Sequence, residues 1–246
     1  MKNENLVEGR NAVLELFRSG KEVDKIYIQD GSEDGPIKTI IREAKKHKVY
    51  INFVTKDRLA SMSETGKHQG VIAIVAAYNY VEVDDIFAKA KRQGEEPFII
   101  IADGIEDPYN LGAIIRSANQ AGAHGVIIPK HRAVGLNASV ARSSAGAVYH
   151  TLVAKVTNIS MTIETMKKRG LWLACADMNG EPIYKANLKG PMAIVVGNEG
   201  DGVSELVRKH CDMKISIPMY GDIDSLNASV AAGIIAFEIV RQRRFT

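Results

Sequence analysis

Apolar and polar positions alternate in blocks along the C-terminal third of the chain. Two short apolar runs, Met192–Val196 and residues 213–218, each lead into a loop rich in Gly, Asn, Asp and Ser. Segments in which apolar residues recur at helical spacing follow both loops. An α/β protein presents backbone amides and a few side chains to a ligand in this way, at the ends of its strands. The pattern therefore predicts a ligand site in these two loops.

The same order of strand, loop and helix begins earlier in the chain. Phe98–Ala102 is predicted as a buried strand and residues 111–121 as the next helix. Asn110 stands at the N-cap position of that helix, which leaves open whether it caps the helix or contacts a ligand. Arg116 falls six positions later, on a nearly opposite side of the helix. If Asn110 lies in the loop, the two side chains can still converge on one site. Further along, the pattern predicts a turn and a strand within 122–129, strands at 150–156 and 171–176, a helix at 159–169 and a loop at 177–189.

A smaller α/β unit is predicted before residue 79. Residues 31–36 form a polar loop, and Pro36 suits the first turn of a helix. Strands and helices alternate around this loop, which implies a compact module with a partly parallel sheet. The predicted helices span residues 12–18, 37–47 and 56–63, and the predicted strands span residues 25–29, 49–54 and 71–78.

The segment 79–96 separates these two parts. It contains one charged helical stretch that ends near Gly94, and Pro97 disfavours helix at the residue before it. The stretch is either a linker or the first helix of the larger part. We expect a small N-terminal domain at 1–78, a linker at 79–96 and a larger α/β domain at 97–246.

Composition narrows the class of protein only slightly. The 246 residues carry a formal net charge of +3, so RNA binding would have to come from local basic patches. Cys175 and Cys211 are isolated thiols without CxxC spacing, which favours a reducing compartment. The N-terminus has no apolar signal segment, and no apolar run approaches the length of about 18 residues needed to span a membrane. We therefore expect a cytoplasmic protein.

Several common catalytic patterns are missing from the sequence. Gly197, Gly200 and Gly202 have GxxGxG spacing, the reverse of the GxGxxG pattern that binds dinucleotides. There is no Walker sequence and no GxSxG, and the six histidines show neither HExxH nor paired metal spacing. A dinucleotide, a nucleoside triphosphate, a serine nucleophile and a catalytic metal are therefore disfavoured.

Three motifs follow one another in the second half of the chain. Residues 103–129 read DGIEDPYNLGAIIRSANQAGAHGVIIP, residues 197–202 read GNEGDG, and residues 215–238 read ISIPMYGDIDSLNASVAAGIIAFE. In this order they resemble the three motifs of the SpoU (TrmH) family of RNA ribose 2′-O-methyltransferases. The similarity runs through residues 97–244. Any one motif would be a weak signal, whereas the ordered set is a strong one.

The resemblance implies S-adenosylmethionine as the methyl donor and a ribose 2′-hydroxyl of RNA as the acceptor. In the family the cofactor is bent within a loop pocket, and the matching positions here are Gly197, Ile217, Pro218, Met219 and Leu226. Asn198 departs from the small residue often found at its position. The catalytic positions implied are Asn110, Arg116, Glu199, Ser225 and Asn227.

The roles of these residues remain alternatives at this point. A guanidinium with a pKa above about 12 is a poor base, so Arg116 acts either as the general base or as a phosphate clamp. Glu199 would orient Asn110, Arg116 or the nucleotide. Ser225 and Asn227 would hydrogen-bond the loops and the ribose, and either one would also suit the N-cap of the last helix.

The last helix is expected to mediate assembly. Its small residues permit close helix packing, which predicts a homodimer, and in the family two protomers complete each site. Its predicted apolar face comprises Leu226, Val230, Ile234 and Phe237. The resemblance also implies a C-terminal trefoil knot and a ribosomal-protein-like N-terminal domain that binds the substrate RNA.

Within the family the chain most resembles bacterial enzymes that methylate a guanosine ribose in 23S ribosomal RNA. Two alternatives remain. One is a tRNA guanosine ribose 2′-O-methyltransferase. The other is a catalytically silent RNA-binding or ribosome-assembly protein with the same fold.

Overall fold

The structure is a computed structural model that describes residues 6–19, 23–32, 34–75, 78–222 and 225–245. The chain divides into two compact units. One unit comprises Met1–Asn79 with Gly135–Asn137, and the other comprises Tyr80–Val134 with Ala138–Thr246. Among the described helices, none is long and apolar enough to cross a membrane.

The first unit is built on a mixed sheet. Its elements are β1 (Leu6–Glu8), α1 (Arg10–Arg18), β2 (Val23–Gln29), α2 (Gly35–Lys46), β3 (Tyr50–Val54), α3 (Lys56–Met62) and β4 (Val71–Val75). The strands lie in the order β1-β4-β2-β3, with β2 parallel to β3 and β4 antiparallel to both of its neighbours. The partly parallel sheet is thus confirmed. β1 was not predicted, because a run of three residues carries no readable periodicity. Residues 76–77 of the predicted last strand lie outside the described residues.

Helix packing closes the first unit over one face of this sheet. Val13 of α1 and Ile37 and Ile40 of α2 are fully buried and form one cluster with Ile26 and Ile28 of β2. The Asp34 side chain accepts the backbone N–H of Ile37 and so caps α2, whose first turn contains Pro36. The predicted helix with Pro36 in its first turn is confirmed, but it begins at Gly35, two residues before the predicted start, so the predicted loop is shorter at this end.

The second unit is a parallel α/β sheet. Its elements are α4 (Val83–Gln93), β5 (Phe98–Ala102), α5 (Pro108–Gln120), β6 (Gly125–Pro129), α6 (Ala138–Ser143), β7 (Leu152–Val156), α7 (Ile159–Lys168), β8 (Trp172–Pro182), β9 (Met192–Val196), α8 (Glu205–His210), β10 (Met213–Ser216) and α9 (Ala228–Arg244). The strand order is β10-β8-β9-β5-β6-β7, and every pairing is parallel. The central strands β5 and β9 are buried along their whole length, as is typical of strands covered on both faces.

Two predictions for the strand ends and connecting loops of this unit were wrong. Asp107, not Asn110, caps α5 by accepting the backbone N–H of Tyr109, and Pro108 occupies the first helical position. Asn110 therefore lies inside the helix and not in the preceding loop. The predicted loop at 177–189 is also partly strand, because β8 resumes pairing with β10 at Glu181 and continues to Pro182.

The last helix presents a different face to the core from the one expected. Its buried residues include Ala232, Ile235 and Ile239, whereas Val230 is 48% exposed and Phe237 is 51% exposed. The prediction for its apolar face was wrong because α9 has apolar residues around most of its circumference, and periodicity does not choose between two such faces. The N-cap prediction for Asn227 is confirmed.

Candidate active site

Loops that follow the strands of the parallel sheet line an open cavity of about 470 Å³ in the second unit. The carboxyl ends of parallel strands meet at one edge of a sheet, so the segments after β9 and β10 come together there. All five positions matched to the cofactor pocket line this cavity: Gly197, Ile217, Pro218, Met219 and Leu226. Glu199 and Ser225 also line it. Loops far apart in sequence thus form one open pocket.

The loop after β9 is held by its own side chain and backbone. The Asn198 side-chain oxygen accepts the backbone N–H groups of Gly200 at 2.9 Å and Asp201 at 2.7 Å. The N–H of Gly202 donates to the Asn198 carbonyl at 3.1 Å. A Cβ at Gly197 would lie 1.9 Å from the carbonyl carbon of Gly202, so only glycine fits this turn. Asn198, which departs from the family pattern, builds the turn that carries Glu199.

Three of the predicted catalytic residues form one hydrogen-bonded cluster. The Asn110 side-chain amide donates to Glu199 Oε1, and the Asn227 side-chain amide donates to the same oxygen at 3.2 Å. The Asn227 amide also donates to Asn110 Oδ1, at 2.9 Å. Residues from α5, the β9 loop and the start of α9 are thereby joined at one carboxylate. We refer to Asn110, Glu199 and Asn227 as the amide–carboxylate cluster.

Asn227 serves both the last helix and the cluster. Its Oδ1 accepts the backbone N–H groups of Ser229 at 2.9 Å and Val230 at 3.4 Å, which caps α9. This bonding fixes which end of the amide faces the helix and leaves the NH₂ group to donate into the cluster. Capping and participation in the site are therefore compatible in this residue.

Arg116 and Ser225 are not part of the cluster. Arg116 is exposed and, with Asn110 also inside α5, lies about 120° around the helix axis from it. The structure shows neither a hydrogen bond nor an ion pair from Arg116 to any described residue. Ser225 lines the cavity but likewise makes no hydrogen bond within the described part of the chain. The expected convergence of Asn110 and Arg116 is therefore not made within one chain.

The structure adds charged residues that sequence reasoning missed. Asp177 and Arg208 line the cavity and form an ion pair with 3.3 Å between Oδ2 and Nη1. The backbone N–H of Asn179 lowers the pKa of Asp177, and Arg208 lowers it further against the opposing effect of burial. Asp177 directly follows the apolar run 171–176, and this position at the end of a predicted strand could have marked it as a candidate site residue. The sequence does not show that Arg208 is its partner.

Comparison with protein families decides the class. Residues 97–237 match the model of the SpoU rRNA methylase family, which covers more than half of the chain and contains the whole amide–carboxylate cluster. The chain belongs to the SpoU family. Residues 6–81 match a second model, described as RNA 2′-O ribose methyltransferase substrate binding. The chain is thus an S-adenosylmethionine-dependent RNA 2′-O-methyltransferase of the SpoU/TrmH type, with an N-terminal domain that binds its RNA substrate.

Similar proteins support this membership along the whole chain. A Bacillus subtilis protein, YacO, which carries the name of a TrmH family tRNA/rRNA methyltransferase, is 45% identical over 239 residues, or 96% of this chain and 95% of its own. The SpoU methyltransferase AviRb of Streptomyces viridochromogenes, solved with AdoMet, has a TM-score of 0.61 and 26% identity, covering 96% of this chain and 89% of its own. The TrmH/SpoU tRNA modifying enzyme of A. aeolicus has a TM-score of 0.55 and 28% identity, covering 64% of this chain and 83% of its own.

The cavity suits the cofactor of the family. Its volume of about 470 Å³ is in the range of small-molecule sites. Apolar walls from Ile217, Pro218 and Leu226 offer a surface for a flat base. The charged residues lining it are Asp177, Glu199, Asp201 and Arg208, a net negative set that complements a sulfonium cation. Among the described residues, no group of three His, Cys, Asp or Glu side chains is arranged to hold a metal ion.

Proposed function

We propose that this SpoU family enzyme methylates the 2′-hydroxyl of a guanosine in 23S ribosomal RNA. The observation that carries the proposal is the amide–carboxylate cluster, which stands beside the cavity that suits S-adenosylmethionine. A catalytically silent protein of the same fold would not need to keep Asn110, Glu199 and Asn227 hydrogen-bonded at this edge of the sheet. Family membership of residues 97–237 supports the same chemistry.

The side chains of the site position groups and do not form covalent intermediates. S-adenosylmethionine supplies an activated methyl group when it is bound. We propose that Glu199 holds the two amides of Asn110 and Asn227 in fixed orientations, so that these amides and Ser225 can hydrogen-bond the ribose and the loops around it. Three charge-assisted or neutral hydrogen bonds within the cluster make its geometry rigid before RNA binds.

The 2′-hydroxyl must lose its proton during transfer, and Arg116 is the motif residue available for that step. We propose two roles for it, as general base or as a clamp on an RNA phosphate that orients the hydroxyl. Arg116→Lys keeps the positive charge but lowers the intrinsic pKa of the side chain. A clamp predicts that Arg116→Lys retains part of the activity with an unchanged pH profile, whereas a base predicts a shifted profile.

We propose that two copies of the chain form each active site. Arg116 is exposed, lies about 120° around the axis of α5 from Asn110, and makes no hydrogen bond to the amide–carboxylate cluster within the described residues of its own chain. Its helix, α5, packs against α9, where a Cβ at Gly233 would lie 3.4 Å from Ser117 Oγ. Val230 and Phe237 are half exposed on α9. A second copy that covers this apolar surface would bring Arg116 to the cluster of the other copy.

A ribosomal RNA substrate is supported over tRNA by the extent of the similarities. The A. aeolicus tRNA modifying enzyme matches only 64% of this chain, whereas residues 6–81 form an additional substrate-binding domain. The name of YacO includes both tRNA and rRNA, so tRNA guanosine remains the second candidate. A guanosine acceptor rests on the resemblance of the three motifs.

Three further features belong to the proposal. We assign residues 1–78 to RNA binding, 79–96 to a linker and 97–246 to catalysis, although α4 within 83–93 packs with the second unit.

We also propose the trefoil knot of the family. Its support is the close approach of β8 to β10, where a Cβ at Gly180 would lie 2.5 Å from the Ile215 nitrogen, and the bonds from Gln242 of α9 to the carbonyls of Ile183 and Ala186. RNA substrates of this kind and two free thiols fit a cytoplasmic enzyme.

The test is transfer of labelled methyl from S-adenosylmethionine to unmodified 23S rRNA and to bulk tRNA, side by side. We expect ribose label in 23S rRNA alone, with loss in Arg116→Ala and Asn227→Ala. Lys168→Ala, an exposed cation on α7, is the matched control and keeps activity. Label in tRNA alone would overturn the assignment of 23S rRNA as the substrate. If neither RNA were labelled, the proposed methyl transfer to 23S rRNA and the alternative transfer to tRNA would both be overturned.

A further inference from the structure

A bulge in β8 forms one wall of the cofactor cavity. β8 pairs with β10 at Cys175 and Lys214, and the next pair joins Glu181 and Ile215, so residues 176–180 bulge out of the ladder. Ala176, Asp177 and Met178 of this bulge line the cavity. The bulge thus places Asp177 in the wall of the ligand site, at a position that no sequence motif marks.

The carboxylate of Asp177 is buried and held in a fixed orientation. The side chain is 7% exposed. Its Oδ1 accepts the backbone N–H of Asn179 at 2.9 Å, and its Oδ2 lies 3.3 Å from Arg208 Nη1 and 3.9 Å from Lys214 Nζ. An ionised carboxylate has about four acceptor positions. The bonds made within the chain leave acceptor capacity for a donor in the cavity.

We propose that Asp177 accepts hydrogen bonds from the ribose hydroxyls of the adenosine part of S-adenosylmethionine. A vicinal diol offers two neutral donors side by side, which match the acceptor geometry of a carboxylate. The charge of Asp177 is already neutralised by Arg208, so the residue can serve as an acceptor but is a weak partner for a cationic group. The ammonium and sulfonium groups are better matched by Glu199 and Asp201, which also line the cavity.

The rest of the cavity is consistent with this placement. Ile217, Pro218 and Leu226 supply the apolar surface for the adenine, and the amide–carboxylate cluster marks the place of methyl transfer. The ribose joins the adenine to the sulfur, so it must lie between these two regions. The inference rests on the proposed function because it takes S-adenosylmethionine as the ligand. It adds Asp177 as the residue that binds the ribose hydroxyls of that ligand.

The experiment measures binding and needs no RNA. Calorimetry on the full chain compares 5′-methylthioadenosine with its 2′-deoxy and 3′-deoxy analogues, because these probes lack the ammonium and sulfonium groups. We expect the wild-type protein to bind at least one deoxy analogue about 10-fold or more weaker, as for loss of a hydrogen bond to a charged group. Asp177→Asn is expected to lose this discrimination, binding parent and analogue alike. Asp201→Asn, an acidic neighbour on the same cavity, is expected to keep it.

Several results would overturn the inference. Equal binding of all three probes by the wild-type protein would do so without any variant. If Asp177→Asn lowered the affinity for all three probes equally and kept the affinity difference between parent and deoxy analogues, Asp177 would have a structural role only. If Asp177→Asn weakened the binding of S-adenosylmethionine but not of the three probes, the contact of Asp177 would be to the amino-acid part of the cofactor. If Asp177→Asn does not fold, Asp177→Ser is measured in the same way. A wild-type protein that binds neither 5′-methylthioadenosine nor S-adenosylmethionine would overturn the proposed function itself.

Discussion

The carboxylate of Glu199 joins three separate segments of the chain. One of its oxygens accepts amide donors from Asn110 on α5 and Asn227 at the start of α9. Neither amide has an orientation set by the sequence alone, because a side-chain amide is directed by its hydrogen-bond partners. Glu199 therefore holds the NH₂ groups of both amides at one carboxylate oxygen beside the cavity, and helix capping adds to this constraint on Asn227.

Replacement of this charge tests its role in orientation. Glu199→Gln keeps the size of the side chain but replaces a charged oxygen that accepts from two donors with a neutral amide oxygen, and it replaces the second oxygen with an NH₂ donor. Hydrogen bonds to charged groups are worth about 1.5–3 kcal/mol, so we expect kcat to fall about 10- to 150-fold. Steady-state methyl transfer at saturating S-adenosylmethionine measures this fall. Glu205→Gln, an exposed acid on α8 outside the cavity, is the control. An unchanged kcat in Glu199→Gln would show that the cluster does not orient the reacting groups.

At the scale of single residues, the sequence identified the groups that belong to motifs. The family pattern pointed to Glu199, Asn227 and the residues of the cofactor cavity, and the structure brings these together. It could not indicate Asp177, because the meaning of that residue depends on a bulge and on a cation 31 positions away. Contacts of this kind arise from tertiary packing and do not correspond to any fixed residue spacing in the sequence.

Among the structural elements, the loop after β9 is constrained by a close backbone approach at its first glycine. The Gly197 backbone lies against Gly202 with no room for a side chain, and the two residues close the turn that carries Glu199. The periodicity of the flanking residues predicted strand, loop and helix there. The periodicity could not show which of the glycines is required because another part of the backbone lies too close for a side chain.

Two alanine substitutions separate these glycines. In Gly197→Ala the new Cβ would lie 1.9 Å from the Gly202 carbonyl carbon, whereas in Gly200→Ala the nearest atom is Asn198 Oδ1 at 3.5 Å, an ordinary contact. We expect Gly197→Ala to lower stability by about 3 kcal/mol, or Tm by roughly 6–12 °C, because backbone atoms must move. Calorimetric melting with and without S-adenosylmethionine measures the change. Similar melting of the two variants would contradict this account of the turn.

The last helix contains a buried carboxylate whose charge contributes to stability. Glu238 forms two bonds of 2.8 Å to Arg241 and accepts a third from Gln242. The Arg241 guanidinium is the main reason that the pKa of Glu238 is lowered, with Gln242 adding to the effect. A lowered folded-state pKa stabilises the fold above the unfolded-state value of about 4.3 and loses that effect as the pH falls through the folded-state value.

Glu238→Gln tests this linkage. At pH 7 we expect the wild-type protein to be more stable by no more than about 1 kcal/mol, because Arg241 is half exposed. The difference between the two proteins should shrink as the pH is lowered below about 4.3, where the wild-type carboxylate becomes protonated. Urea unfolding across this range measures the difference, with the exposed Glu205→Gln as the control. A difference that grows on acidification would be the wrong sign.

Helix ends and faces show the limits of prediction at the element scale. Pro108 could have marked the start of α5 and Asp107 its cap, but Asn110 is an equally good cap residue by type. On α9, two apolar faces compete, and the one left exposed is the surface proposed to meet a second copy. Element type followed from periodicity, whereas the choice of cap and buried face depended on packing.

At the scale of the whole molecule, the central claim is that two chains complete one site. Asn227 belongs to the amide–carboxylate cluster, whereas Arg116 is exposed and makes no hydrogen bond to that cluster within the described residues of the same chain. Arg116→Ala and Asn227→Ala should each be inactive as homodimers. If Arg116 acts on the site of the other copy, a mixed dimer of the two variants contains one intact site.

Activity of that mixed dimer is the most direct test. The two inactive variants are unfolded together, refolded at equal concentration and assayed for methyl transfer to 23S rRNA, with each variant refolded alone as the control. Random pairing of a two-fold symmetric dimer makes half of the dimers mixed, so we predict recovery of about a quarter of wild-type activity. No recovery, with mixed dimers demonstrated by differential tags, would contradict the shared site and confine Arg116 and Asn227 to the same chain.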